Sequence, residues 1–516
     1  MQHCIIPAKR FIIFSLLLVL FAKQTFAQQP NILFVIADDI GLDPVPNYLP
    51  GPIKASMPNL QNLMNAGLTF DNVWANPVCA PTRASIITGQ YAYRTNVLNA
   101  GLLSVLPDSS ITIHKYLDSI GSGYSTSLIG KWHIGGNNAA PTHPNEMGVP
   151  YYAGTLMGAV PYNTWPLVIN GTQTISTEYI TTKITDMAID WIDQQNNPWF
   201  CWVAYTAPHT PFHLPPQNMH NQGNLSSNPI DISTNPLPYY LAMVESMDYE
   251  LGRLIGSLTP GELANTVIIF IGDNGTATQV IQQPIDSTHA KGSLYEGGVR
   301  VPLVISGYGV NRQGQRESAL INCTDLFSTI IELTGNSLPI YGDSRSFLPA
   351  LSSSGLTFRE CLRSDVQLTP VTGGYAIRNS EFKLINNLDS TQEFYDLVSD
   401  PFEQNNLLDS ILNSTQQAAF IQLSSGCENN YNLPNAVIEN PVTVGKYVIY
   451  PNPTDNFISI SGLLNEVVSY SIYSLNGVLI FSGTISGNNS LINTSLLNNG
   501  SYILRINDEN IKIIKH

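Results

Sequence analysis

The sequence predicts an α/β fold, a mostly parallel central sheet covered by helices, followed by a separate all-β sandwich at the C-terminus. Three observations carry this. Four runs, NILFVIADD, YSTSLIGKWH, FCWVAYTAPH and TVIIFIGDNG, are apolar without alternation, which suits strands buried on both faces. Each run stops abruptly in polar residues, and ligands in such sheets bind beyond the carboxyl ends of the strands. Beyond about residue 430 basic residues become scarce, Asn, Ser and Ile become common, and short alternating runs such as NFISISG, YSIYSL and SYILRI take over. That pattern reads as a small sandwich with its own core.

At 516 residues and 43% hydrophobic content the chain has enough apolar surface for a large core and two or three domains. Its N-terminal stretch carries Lys9 and Arg10, an apolar run from Phe11 to Ala22, and Thr25-Phe26-Ala27 before Gln28, the marks of a signal peptide spanning 1–27. A membrane anchor is the competing reading, but the run falls short of the roughly 20 residues a span needs. The mature chain is therefore expected to be exported, with no transmembrane segment. A net charge of -15 argues against nucleic acid and anionic membranes as partners. Any anionic substrate must be held by a few local cations. With Cys4 removed and Cys79 set aside, Cys201, Cys323, Cys361 and Cys427 allow three pairings or stay free.

The polar tips of the four runs are Asp38 and Asp39, Lys131 and His133, His209, and Asp273 and Asn274. Taken singly, each has a plain structural reading: paired aspartates serve as turns or helix caps, GDNG as a turn, a lone histidine as a hydrogen-bonded core residue. Their coincidence at one sheet end changes the balance. Asp38, Asp39, Asp273 and Asn274 offer only oxygen donors, which suits Ca²⁺ or Mg²⁺ rather than Zn²⁺. Beside Lys131 and two histidines, such a cation fits an anionic, oxygen-rich substrate.

The stretch NPVCAPTRASIITGQY, from Asn76 to Tyr91, sets Cys79 beside Pro81 and Arg83, with Thr88-Gly89 further on. This closely resembles the C-x-P-x-R signature of the type I, formylglycine-dependent sulfatases. The resemblance continues through ADD at 37–39, GKWHIG at 130–135, APHTPF at 207–212, GDNG at 272–275, KGSLYEGGVRVP at 291–302 and FYDLVSDPFEQNNL at 394–407. Two departures are visible: Thr82 stands where serine is commoner, and GLDPVPNYLPG lacks the usual GYGD-like continuation.

The resemblance implies an alkaline-phosphatase-like core, with a small antiparallel C-terminal subdomain from about residue 340 inside a catalytic domain at 28–430. It implies that a maturation enzyme converts Cys79 to formylglycine, an aldehyde whose hydrate attacks sulfate esters. Asp38, Asp39, Asp273, Asn274 and residue 79 would bind the cation, and Arg83 would orient residue 79. Lys131 and Lys291 would neutralise sulfate, His133 would assist the proton loss that expels sulfate, and His209 would contact sulfate or protonate the leaving alcohol, with Lys291 beside it. Sulfated carbohydrates are the expected substrates. A phosphoesterase or phosphonate hydrolase on the same fold, and a non-catalytic glycan-binding surface protein, are the alternatives.

Pro211–Pro238, dense in Pro, Asn and Ser, is a candidate lid, and Tyr151, Tyr152 and Trp165 are candidates to stack on a sugar, with core packing the competing role. YPNP at 450–453, YSLNG at 473–477, GSYILRI at 500–506 and the terminal KIIKH resemble the sorting domain of type IX secretion cargo. That implies a linker at 431–445, a sorting sandwich at 446–516, the type IX machinery as partner, and passage through the periplasm of a Gram-negative bacterium to the surface or beyond. A carbohydrate-binding module is the competing reading of the same region.

Overall fold

The computed structural model describes residues 29–426, except 102–103 and 137, together with the strands and some turns of 442–515. The expected signal peptide, Cys4, Cys427 and most of the expected linker lie outside the described residues. The chain forms two compact units, Met1–Cys427 and Glu428–His516.

In the first unit ten strands make one sheet: β1 (Asn31–Ala37), β2 (Gly67–Trp74), β3 (Ser125–Lys131), β4 (Tyr151–Thr155), β5 (Trp165–Ile169), β6 (Thr172–Ser176), β7 (Trp199–Ala204), β8 (Thr266–Gly272), β9 (Leu303–Gly307) and β10 (Gln315–Asn322), in the order β10-β2-β9-β8-β1-β7-β3-β4-β5-β6. The four unbroken apolar runs are the central strands β8, β1, β7 and β3, all parallel. Alternate residues serve opposite faces: Ile32, Phe34 and Ile36 enter one core, Leu33, Val35 and Ala37 the other. Both faces are covered by helices, which is why no polar alternation survives in the sequence. The sheet is more mixed than expected, because β9 runs antiparallel to both β2 and β8, and β5 and β6 form an antiparallel edge.

Register decides where the polar tips fall. Ala37 pairs with Gly272, Ile36 with Ala204, and Ala204 with Gly130. Asp38 and Asp273 are therefore the next residues on the neighbouring strands β1 and β8, and Lys131, on β3 beyond β7, leaves the sheet within one residue of their level.

Two of the three candidate aromatics, Tyr152 and Trp165, are structural. Tyr151, Tyr152 and Trp165 lie on β4 and β5; Tyr152 and Trp165 are fully buried, Tyr152 edge-on to Trp132, and the Trp165 indole donates to the Glu178 carbonyl. Packing takes these two because both strands belong to the main sheet. The Pro211–Pro238 stretch is less irregular than its composition suggests, with a 3-10 turn at Gln217–Met219 and a helix at Pro229–Thr234. Glu245 anchors it by accepting from the Asn221 amide and the Gln222 side chain.

Strands Leu362–Thr369, Thr372–Arg378, Phe382–Asn387 and Gln392–Asp396 form an antiparallel sheet backed by the helix Ser414–Ser424. It is tied to the main sheet by a buried charge cluster. The Lys383 ammonium lies 2.6 Å from Glu403, 3.3 Å from Glu296 and 4.9 Å from the Trp74 ring, while Arg378 holds the other Glu296 oxygen. Removing one member strands the rest in low dielectric, so Lys383→Ala is expected to destabilise this unit by about 3–5 kcal/mol. Chemical denaturation checks it, and a change below about 1 kcal/mol contradicts it.

Cys361 is disulfide-bonded, whereas Cys79, Cys201 and Cys323 are buried free thiols. In the second unit two four-stranded antiparallel sheets share a core that includes Ile458, Ile472, Ile492 and Leu504. Among the described residues no helix is long and apolar enough to cross a membrane.

Candidate active site

Cys79 is the first residue of the helix Cys79–Thr88, which is buried along its whole length. Ahead of it, the Thr82 hydroxyl accepts the Asn76 amide at 2.9 Å, fastening the turn into the helix. The threonine that departs from the commoner serine keeps the hydroxyl, and its methyl is lost in the core. The N-terminal end of a helix favours negative charge, and Cys79 sits there, 1% exposed.

Around the thiol the tips converge. The Cys79 sulfur lies 3.2 Å from His133 Nδ1, and ligating atoms of Asp38, Cys79 and Asp273 fall within 4.8 Å of one another, as do those of Asp38, Asp39 and His209. Asp39 is held from two sides: its amide donates to Asp273 Oδ1 at 3.0 Å, and its Oδ1 accepts from the Asn274 amide group at 2.9 Å. Asp39 and His133 both have left-handed backbone, φ 64° and 54°, a conformation that residues with a Cβ keep only where the surroundings enforce it.

The cations are as close. Lys131 Nζ lies 2.5 Å from Asp38 Oδ2, and Lys291 Nζ 2.5 Å from Asp39 Oδ1. Arg83, buried rather than on a helix surface, gives two hydrogen bonds to Asp273 Oδ2, at 2.8 and 3.1 Å, and one to the Lys131 carbonyl. Its guanidinium thus fixes a carboxylate and the end of β3; residue 79 is one helical turn away and takes its neighbour from His133. His209 Nδ1 is bound to the Thr210 carbonyl at 2.7 Å, and its Nε2 lies 3.8 Å from Asp39 Oδ2.

Burial and neighbouring charge set the protonation states. Burial, reinforced by the Lys131 charge, pushes His133 down to about 3. Burial alone would raise Asp39, yet Lys291, His209 and Lys131 hold it well below the usual carboxylate range. Burial and the nearby Asp38 push Asp273 up to about 6, and burial likewise raises Asp38. Lys291 is held charged against its own burial by Asp39.

The donor set suits a hard cation. Asp38 Oδ1 and Asn274 Oδ1 are buried oxygens with no hydrogen-bond partner, and buried acceptors of that kind call for a partner. All five residues expected to bind metal, Cys79 among them, meet at this point, and so do the six expected to act on substrate, of which Cys79 is again one. Two supports carry no signal in the sequence. The Tyr162 hydroxyl donates to the Thr206 and His209 carbonyls, and Tyr240 to the Asp39 carbonyl. Both read from sequence as ordinary core aromatics.

Comparison with known proteins agrees with this geometry. Residues 30–336 match the Sulfatase family, 287–424 match "N-sulphoglucosamine sulphohydrolase, C-terminal", and 448–516 match "Secretion system C-terminal sorting domain". The ulvan-active sulfatase of Formosa agariphila is 27% identical over 418 residues, 75% of this chain and 78% of that protein. Human N-acetylglucosamine-6-sulfatase is 27% identical over 399 residues, 68% and 70% of the two chains. The crystal structure of Ps i-CgsB in complex with k-i-k-neocarrahexaose superposes with a TM-score of 0.66 at 24% identity, covering 77% of this chain and 92% of that one. A structure in complex with its substrate D-glucosamine-2-N,6-O-disulfate gives 0.64 at 22% identity, covering 77% and 97%. Both place the chain in the alkaline-phosphatase-like fold of sulfatases. The chain belongs to the sulfatase family, hydrolases of sulfuric esters, and ends in a secretion-system sorting domain that marks it for export to the cell surface or beyond.

Proposed function

We propose that this enzyme hydrolyses sulfate esters of carbohydrates through formylglycine made from Cys79. A divalent cation, Ca²⁺ or in its place Mg²⁺, is held by Asp38, Asp39, Asp273, Asn274 and residue 79. The observation that carries the reading is the setting of Cys79: a free, buried thiol at a helix start, within ligand range of two carboxylates and 3.2 Å from an uncharged histidine. A structural thiol has no use for those neighbours.

A cation held there would supply positive charge to polarise the oxygen of residue 79 and offset charge gathering on the sulfate. Hydrated formylglycine carries two hydroxyls on one carbon. One oxygen would bond to sulfur as the bond from sulfur to the alcohol breaks, its proton passing to the departing alcohol; the other would then lose its proton, expelling sulfate and returning the aldehyde, which water rehydrates. His133, uncharged and facing residue 79 through Nδ1, accepts that proton. His209, its Nδ1 tied to a carbonyl, presents Nε2 to the leaving alcohol, with Lys291 beside it. Lys131 and Lys291 neutralise sulfate oxygens, and Arg83 keeps Asp273 and the end of β3 in place. Three carboxylates, Asp38, Asp39 and Asp273, face three basic side chains, Arg83, Lys131 and Lys291; a divalent cation would tip the site positive, as an anionic substrate requires.

Carbohydrate as the substrate class is supported by the relatives' names and by the saccharides bound in the related structures. The segment after Asp273 and Asn274 lacks the further Asp and His cluster that a second metal would want, which favours a sulfatase over a two-metal phosphoesterase. A maturation enzyme reads the Cys79-x-Pro81-x-Arg83 signature, and the 446–516 sandwich, after a 431–445 linker, directs the product from the periplasm through the type IX machinery. Exhaustive chelation is expected to abolish turnover, and Ca²⁺ to restore it. Full activity in protein shown by elemental analysis to be metal-free contradicts the cation site.

A further inference from the structure

We propose that Gly158 is a positioning residue for His133: the missing side chain at 158 is the space in which the imidazole stands against residue 79. The inference rests on the reading of His133 as proton acceptor. His133 follows β3, where its backbone is left-handed at φ 54°, and the segment after β4 runs beside it. The Trp132 amide donates to the Thr155 carbonyl at 2.9 Å and the His133 amide to the Leu156 carbonyl at 3.3 Å. These bonds extend the β3–β4 pairing past Lys131 and Thr155 and bring Gly158 over the ring.

A Cβ at 158 would lie 2.3 Å from His133 Cε1, 2.4 Å from Nε2 and 3.0 Å from Nδ1. Carbon atoms do not approach that closely, so the ring would have to move. It has nowhere to retreat, because Nδ1 is already 3.2 Å from the Cys79 sulfur. The backbone at 158 lies outside the left-handed region, so glycine is not needed there for its own conformation, and the three atoms nearest that Cβ all belong to His133. Its neighbours Met157 and Ala159 are exposed, which places the residue at the rim, where an added methyl disturbs no core. Gly158→Ala therefore displaces one catalytic ring and little else.

The test is a double-mutant cycle of Gly158→Ala, His133→Ala and the pair, with kcat and KM measured on a chromogenic sulfate ester and residue 79 checked for equal conversion by mass. Gly158→Ala alone is expected to lower kcat by about ten- to a hundredfold, the scale of effect for a misplacement near 1 Å, with KM little changed and melting temperature as in the parent. In the His133→Ala background the same methyl meets no ring and is expected to change kcat by less than about twofold, coupling of the kind shown by residues in contact. An equal loss in both backgrounds would make Gly158 merely structural and overturn the proposal, as would no loss in either. His133→Ala turning over at the parental rate would overturn the proton-acceptor reading itself, and this inference with it.

Discussion

Cys79→Ser is expected to release one equivalent of alcohol and then stop. The serine hydroxyl takes the place of the thiol at the helix start, beside Asp38, Asp273 and His133, and an oxygen there can still attack sulfur. Its carbon bears no second hydroxyl, so no proton loss can expel the sulfate, and residue 79 is left as a covalent sulfate ester. Cys79→Ala should show neither release nor ester. Both variants keep Asp38, Asp39, Asp273 and Asn274, so both should retain the cation. Product release is followed with enzyme in excess, and the peptide from Asn76 to Arg83 is then weighed. Sustained turnover by Cys79→Ser near the parental rate would rule out a mechanism that needs two hydroxyls on one carbon.

Lys131→Ala and Lys291→Ala are each expected to lower kcat by about 10²–10³, the loss seen when a preorganised group facing transition-state charge is removed. Each ammonium lies 2.5 Å from a carboxylate of the metal-binding set, Lys131 on Asp38 and Lys291 on Asp39. In the proposed mechanism the two ammonium groups neutralise the oxygens of the bound sulfate. The chain is net negative, so no distant basic patch replaces them. Lys131 is fully buried and Lys291 about one-fifth exposed along its side chain, so Lys131→Ala should also lower the melting temperature more than Lys291→Ala does. Near-parental rates in both variants would show that sulfate is held elsewhere.

The centre of this fold and its site were legible because the same physics writes both. A strand buried on two faces has no polar residue to spare, so a polar residue at its end stands out, and Asp38, Lys131, His209 and Asp273 were visible for that reason. Register was not legible: nothing in TVIIFIG says that Gly272 pairs with Ala37, since every offset of an unbroken apolar run buries the same surface. The antiparallel strands β9, β5 and β6 were missed for a related cause, as pairing direction leaves little mark on short apolar runs. Arg83 was visible as a motif residue, but its partners were not, because Asp273 lies 190 positions away. Tyr162, Tyr240 and Gly158 act through backbone carbonyls or through empty space, which a sequence cannot display. Tyr152 and Trp165 show the converse: aromatic side chains advertise stacking, yet burial in the main sheet consumes them.

The central claim is that Cys79 is a precursor, and mass analysis of the peptide from Asn76 to Arg83, in protein purified from the native host, tests it most directly. The account predicts the mass of the aldehyde or its hydrate at residue 79, abolished when the maturation enzyme is absent, with turnover lost in step. A quantitatively unmodified thiol at residue 79 in protein that turns over sulfate esters would contradict it.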